Sequence, residues 1–325
     1  MSDRDKEIGE LRRIMGTEAE TRNDEITTLV SIGSAGVSAQ LVDYSVNPYR
    51  AIFDMATATW GNEEYKEKWN NVSLTGRRKV LEAALTHQCL TTCLEAPSFT
   101  FRVTGTSRSA FDQIARVRIG AGIGSMGVRD NSRLDGGFRI PRSLWEDEDL
   151  RQNVLAIVEM SKAVYQKIIR KGKSSWQDAR AILPMGMTHH FYITINYLAF
   201  QNQCARRLQF CEQPDTVAAF WIMRHELEKI FPVLAAYCRP QCDIQHKCGY
   251  HQEYTLSELF SCLFDACGRW PVGTRPGEER PASYFKYPSC TADEISKDLN
   301  IEIPQRIDWD RISEEAWTND KKWKE

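Results

Sequence analysis

LEAPSFTFRV over 94–103, running on through SRSAFDQIARVR over 107–118 into GAGIGSMG over 120–127, is the stretch whose reading decides the fold. Its alternation puts Phe99, Phe101 and Val103 on one face, the pattern of a half-buried strand. Ser107 is placed to cap the helix that SRSAFDQIARVR predicts, and the glycines then forbid that helix to continue. A flexible loop of close approach is expected there, with basic residues beside it.

Working outward, VSAQLVDY over 37–44 predicts a strand, and NPYRAIFDMATATW over 47–60 predicts a helix entered through Asn47 and Pro48 and ended by Gly61. LTGRRKVLEAALTHQCL over 74–90 predicts another amphipathic helix. Downstream, Val154, Ile157, Val158, Val164 and Ile168 recur at helical spacing until Gly172 terminates the pattern. Two further helices are predicted near 196–211 and 215–231. Residues 1–33 are polar, with Leu11, Ile14 and Met15 at helical spacing, and read as an N-terminal arm or exposed helix. A catalytic domain is expected over 34–238. Beyond Cys238 the chain is rich in Cys, Pro, Trp and charge without a sustained period, so 239–325 reads as an extension. No internal repeat is visible.

Composition bounds the function. With 325 residues and 42% hydrophobic content, the chain is long and apolar enough for a substantial core. Its 42 basic residues balance 44 acidic ones, so the net charge of -2 gives no field for coating a nucleic acid polymer or an anionic membrane. No stretch approaches the roughly 20 apolar residues of a membrane span. MSDRDKEIGELRR lacks the apolar core of a signal peptide, and the ten cysteines then read as reduced thiols of a cytoplasmic protein. Cys238, Cys242, His246, Cys248, His251, Cys262 and Cys267 hold soft ligands at short separations. They lack a clean pair of CxxC knuckles, so no metal is expected.

Arg108, Arg116, Arg118 and Arg129 crowd around the glycine segment, and on the expected helix Gln113 and Arg116 share a face. Guanidinium groups bind phosphate through paired hydrogen bonds, and glycines let backbone N–H groups approach anionic oxygens. A phosphate or nucleotide site follows, although a solvated basic helix end would show the same residues. GAGIG does not follow a strand and open a helix, so a dinucleotide fingerprint is discounted.

The stretch from Gln40 to Phe231 resembles the flavin-dependent thymidylate synthase (ThyX) superfamily. LEAPSFTFRV matches the family's strand, with Ala96 at its histidine, and SRSAFDQ matches SRxxxxQ. ARxxLP recurs as Arg180 to Pro184, the Asn-containing helix as Asn196 to Asn202, and an Arg with Gln six residues on as Arg207 and Gln213. The signature RHRxxSxNExSxR is degraded. Arg116 and Arg118 keep two arginines, Val117 replaces the histidine, and Arg129 matches the last arginine once one inserted residue is allowed. Ser125 or Gly124 then stands at the family's Glu, Asp130 at its Tyr, Leu90 at a flavin-site His and Leu198 at an Arg.

The resemblance implies an α/β (α+β) fold, an antiparallel-rich sheet flanked by helices. It implies that Gln113, Arg116, Arg129, Arg180 and Arg207 hold the nucleotide, with Arg207 also the catalytic group that polarises the pyrimidine. Ser125, Met126, Gly127 and Asp130 then border base and sugar. Thr92, Glu95, Arg116, Arg118, Asn196 and Asn202 would face FAD, with methylenetetrahydrofolate and NADPH as cosubstrates and a homotetramer as the assembly. The degraded loop is similar to that of the divergent UMP methylases of polyoxin-type antibiotic pathways. It favours UMP, with dUMP accepted. A hydroxymethylase, a cytidine-nucleotide methylase, and a flavin- or nucleotide-binding protein without turnover stand as alternatives.

Overall fold

The computed structural model describes residues 29–58, 65–117, 119–125, 137–210, 212–245, 290–303 and 307–325. In chain order these form β1 (Val30–Ile32), β2 (Ser38–Tyr44), α1 (Pro48–Ala58), α2 (Tyr65–Asn71), α3 (Leu74–Leu85), a 3-10 turn (Thr91–Glu95), β3 (Ser98–Ser107) and α4 (Arg108–Ile114). β4 (Ala121–Ser125), β5 (Phe138–Ile140), α5 (Arg142–Glu146), α6 (Glu148–Lys171), α7 (Trp176–Ala179) and a 3-10 turn (Arg180–Ile182) follow. Then come β6 (Thr188–Asn196), α8 (Tyr197–Arg207), α9 (Pro214–Ile230), α10 (Pro232–Ala236), α11 (Gln241–Gln245), α12 (Ala292–Leu299) and α13 (Trp309–Asn319). The chain divides into a smaller unit, 1–32 with 126–188, and a larger one, 33–125 with 189–325.

The larger unit is built on a four-stranded sheet in the order β2-β3-β6-β4. β2 runs antiparallel to β3 with Leu41 opposite Phe101, and β4 runs antiparallel to β6 with Ile123 opposite Ile193. Alternation decides which face is apolar: Phe99, Phe101 and Val103 of β3 and Phe191, Ile193 and Ile195 of β6 are buried, while Arg102, Tyr192 and Thr194 point the other way into solvent. Each such side chain contributes about 1.5–3 kcal/mol by leaving water. α9 covers this face because nearly its whole circumference is apolar, with Val217, Phe220, Met223 and Leu227 fully buried.

Three expectations are corrected here. Of the glycine-rich segment, Ala121–Ser125 is not a loop but strand β4. Gly122 and Gly124 face open space, and the backbone pairing with β6, about 70 residues downstream, overrides glycine's weak strand propensity. The helix after Ser107 is also shorter than expected. Ser107 Oγ accepts from the Ala110 N–H, as a cap should, but α4 ends at Ile114, so Arg116 lies beyond it and shares no helix face with Gln113. Similarly α3 stops at Leu85, and His87 takes a left-handed conformation with φ 59°.

Residues 290–303 and 307–325 pack into the main core. Trp309, Ala316, Trp317 and Trp323 are buried in the same cluster as Phe53, Trp69 and Phe231. Trp309, Ile312, Ala316 and Trp317 do carry a helical period, but α13 spans only 11 residues, too short to stand out as sustained. Tyr49 donates to Asp320, and burial first, then the Asp320 charge, pushes the Tyr49 hydroxyl well above the ordinary tyrosine range. Burial and Cys238 do the same to Tyr197. Both stay protonated in the native chain where an unfolded tyrosine ionises near pH 10. Their contribution is therefore complete below that pH and is lost as pH rises toward the native values. A urea midpoint that holds from about pH 7 to 9 and falls by about pH 11 is the expected result.

In the smaller unit β1 pairs parallel with β5, so the end of the expected arm is a strand, while residues 1–28 lie outside the described residues. Phe138, Ile140 and Val158 form a core with Val30, Leu144, Trp145, Val154 and Leu155. Gly172 ends α6 as expected, with φ 61° that an L side chain rarely adopts. No helix among the described residues is long and apolar enough to cross a membrane.

Candidate functional site

Gln113 of one motif that carries the resemblance and Arg207 and Gln213 of another meet in space at the end of α4. Arg207 ends α8, and the connection to α9 brings Glu212 and Gln213 back beside it. Arg207 Nη1 donates to Glu212 Oε2 at 2.5 Å and to Gln113 Oε1 at 3.4 Å, and Nη2 donates to the Gln113 carbonyl at 3.2 Å. Gln113 Nε2 donates to Gln213 Oε1 at 3.1 Å, and Gln213 Nε2 donates to Ser107 Oγ at 3.0 Å and Ser109 Oγ at 2.6 Å. Asp215 holds the other end, accepting from the Ser107 N–H at 2.6 Å.

The direction of this chain is fixed by its charged end. A guanidinium can only donate, so the Gln113 oxygen must be turned toward it and the Gln113 amide nitrogen toward Gln213. The Arg207 and Glu212 side chains are 14% and 10% exposed, so the pair is little screened by water and holds its geometry. Arg207 Nε is buried and has no hydrogen-bond partner among the described residues. Sequence reasoning missed Glu212, Ser109 and Asp215. Only the spacing of Arg207 and Gln213 hinted that the connection carried chemistry.

The residues implied for the flavin fall on neighbouring elements of the larger unit. Thr92 and Glu95, three apart on the 3-10 turn, are exposed, and α8 packs against that turn with Asn202 exposed as well. Asn196 serves the fold directly, because its Oδ1 accepts from the Ala199 N–H at 2.8 Å and caps α8. Its backbone N–H donates to Gly120 O at 2.7 Å, and Gly120, at φ 76°, has no room for a Cβ, which would lie 2.6 Å from Asn196 Nδ2. Beneath the turn, Gln201 Nε2 donates to the Leu85 and Tyr237 carbonyls, which leaves Gln201 Oε1 to accept from His87 Nε2 at 2.7 Å.

Arg116 is exposed at the mouth of β4, and Ser125 ends that strand. Arg180 is exposed on the smaller unit, at the start of its 3-10 turn, where the Ser175–Asp178 capping box fixes the approach. Arg108 pairs with Asp112 at 2.9 Å and lies over the Phe111 ring, a surface arrangement that leaves it outside the cluster. Arg118, Met126, Gly127, Arg129 and Asp130 lie outside the described residues, as do His246, Cys248, His251, Cys262 and Cys267 of the Cys/His-rich run. Among the described cysteines Cys89, Cys93, Cys204, Cys238 and Cys290 are free thiols.

Residues 40–233 match the family model described as thymidylate synthase complementing protein. A flavin-dependent thymidylate synthase of Pyrococcus furiosus is 27% identical over 243 residues, covering 72% of this chain and 96% of that protein. One from Sulfurisphaera tokodaii is 28% identical over 168 residues, 51% of this chain and 64% of that protein. Among solved structures, a UMP/dUMP methylase, PolB from Streptomyces cacaoi bound with 5-Br dUMP, matches with a TM-score of 0.52 at 17% identity, over 64% of this chain and 96% of that one. That likeness is one of fold.

Proposed function

Because the chain belongs to the thymidylate synthase complementing protein family, the flavin-dependent thymidylate synthases, we propose that it is an FAD-dependent enzyme that methylates C5 of UMP, and of dUMP. Methylenetetrahydrofolate gives the carbon, and NADPH keeps the flavin reduced. The observation that carries this reading is the Arg207–Gln113–Gln213 cluster, assembled from residues 94 and 100 positions apart, of which the family resemblance assigns Gln113 and Arg207 to the nucleotide. Bound FAD supplies the hydride, so no protein nucleophile has to attack the base, and no cysteine here stands in the Pro-Cys-His setting that such an attack would use.

The chain's own residues bind and orient. Arg207 and Gln113 present donors to the pyrimidine in a site where their positions are fixed before the substrate arrives, which stabilises charge developing on its carbonyls. The family resemblance assigns Arg129 and Arg180 to the phosphate, and Arg116 to both nucleotide and flavin. Thr92, Glu95, Arg118 and Asn202 take the flavin, with Asn196 shaping the start of α8 beside it. Asp130, where the family has an aromatic ring, offers an acceptor to a ribose 2′-hydroxyl. Asp130→Tyr is then expected to shift preference toward dUMP by up to about ten-fold, the limit set by one hydrogen bond of roughly 0.5–1.5 kcal/mol.

Arg180→Ala tests the phosphate assignment. Loss of one charged hydrogen bond of roughly 1.5–3 kcal/mol weakens UMP binding by about ten-fold or more, and FAD binding, followed by quenching of flavin fluorescence, stays as it was. Equal loss of both ligands would mark Arg180 as structural. A flavin signal unchanged by the wild-type protein would remove the cofactor from the account. A second reading, nucleotide and flavin binding without turnover, is favoured by one observation: Arg207 already has Glu212 as a counter-charge.

A further inference from the structure

The turn between α3 and β3 carries a second kind of chemistry. Cys89 and Cys93 lie four residues apart on it, and both sulfurs approach one oxygen, the Leu90 carbonyl, at 3.9 Å and 3.0 Å. Their exposures differ in a way that matters. Cys93 is 1% exposed and Cys89 is only half-buried, beside Leu90 at 59%. A reagent in solution reaches Cys89 first, and Cys93 waits behind it. Burial, then the charge and hydrogen bonding of Cys89, raises the Cys93 thiol to about 12. A second close thiol pair, Cys204 with Cys238, serves as an internal contrast, because both of its members are fully buried.

We propose that Cys89 and Cys93 form a dithiol/disulfide couple that exchanges with low-molecular-weight disulfides such as glutathione disulfide. The Cys89 thiolate attacks one sulfur of the small disulfide, which forms a mixed disulfide and releases one small thiolate. Cys93 then loses its proton to solvent and attacks the Cys89 sulfur, which forms the Cys89–Cys93 bond and expels the second small thiolate. Two protein thiols are oxidised and one small disulfide is reduced to two thiols. Because the thiolate is the attacking species, the second step is slow at neutral pH and quickens as pH rises. The closed bond staples the turn that carries Thr92 and Glu95, and only this consequence rests on the flavin reading.

The test uses the full chain with glutathione disulfide, followed by alkylation, trypsin and mass spectrometry. Cleavage after Lys79 and Arg102 yields the peptide 80–102, whose cysteines are Cys89 and Cys93 alone. In wild type this peptide becomes lighter by two hydrogens, and at higher pH it does so faster. In Cys93→Ser, and in Cys93→Ala should serine unsettle the core, it retains one glutathione on Cys89. In Cys89→Ser it stays unmodified. Cys204 and Cys238 stay reduced throughout. A wild-type peptide that stops at the glutathione adduct, that stays reduced, or that cross-links to another cysteine would overturn the proposal, whatever the protein does with nucleotides.

Discussion

Arg207→Ala is expected to abolish turnover and to weaken nucleotide binding by roughly a hundred-fold. Two contacts explain the size: the guanidinium's own hydrogen bond to the ligand, roughly 1.5–3 kcal/mol for a charged donor, and the Gln113 amide that the guanidinium holds in place. The same change also destabilises the fold. Glu212, with its side chain 10% exposed, loses its guanidinium partner, and breaking a buried pair from one side costs roughly 3 kcal/mol or more. The two effects separate in the double variant Arg207→Ala with Glu212→Ala, which recovers much of the stability because the carboxylate that faced the guanidinium is gone. Its nucleotide binding does not recover. Calorimetric titration with UMP and urea denaturation of the wild type and both variants read both quantities. Recovery of both together would make Arg207 a strut rather than a ligand.

Trp317→Ala is expected to cost about 3–5 kcal/mol, the range for emptying a buried aromatic site, which is a large part of the stability of an ordinary domain. Trp317 is 1% exposed, its ring lies edge-on to Trp323 at 5.1 Å, and its indole N–H donates to the Tyr237 hydroxyl at 3.2 Å. Its neighbours tie the end of the chain down further. Arg77 donates to the Lys324 carbonyl at 2.9 Å and the Trp69 indole to the Glu325 carbonyl at 3.2 Å. Removal of residues 307–325 uncovers Tyr49, Trp69 and Tyr237 together and should leave the rest of the larger unit unable to fold. Urea denaturation of Trp317→Ala and circular dichroism of the truncated chain check this. A truncated chain with native spectra and an unchanged midpoint would return the segment to the status of an appendage.

How much of this was legible in the sequence depended on how local the cause was. β3 and its buried Phe99, Phe101 and Val103 follow from alternation alone, and Ser107 and Gly172 mark helix ends through their own backbone chemistry. β4 was not legible. AGIGS has little strand propensity, and what makes it a strand is the β6 edge, which no local pattern announces. The stop at Ile114 was not legible either, because ARVR continues a helical composition. Motif spacing found Gln113, Arg207 and Gln213. It did not find Glu212, whose meaning depends on a connection folding a carboxylate onto the guanidinium of Arg207. Trp309 and Trp317 were visible as residues, but their role needed Tyr237 and Trp69, far upstream, to come within reach.

The most direct measurement supplies the protein with FAD, NADPH and methylenetetrahydrofolate and offers UMP, dUMP, CMP and dCMP in parallel, with the products weighed by mass spectrometry. The expected result is a methyl group added to UMP, a slower addition to dUMP, and unchanged CMP and dCMP. A hydroxymethyl product, or reaction of the cytosine nucleotides, would keep the family and overturn the assigned reaction. Bound FAD and bound UMP with no product from any of the four would contradict the proposed catalysis altogether.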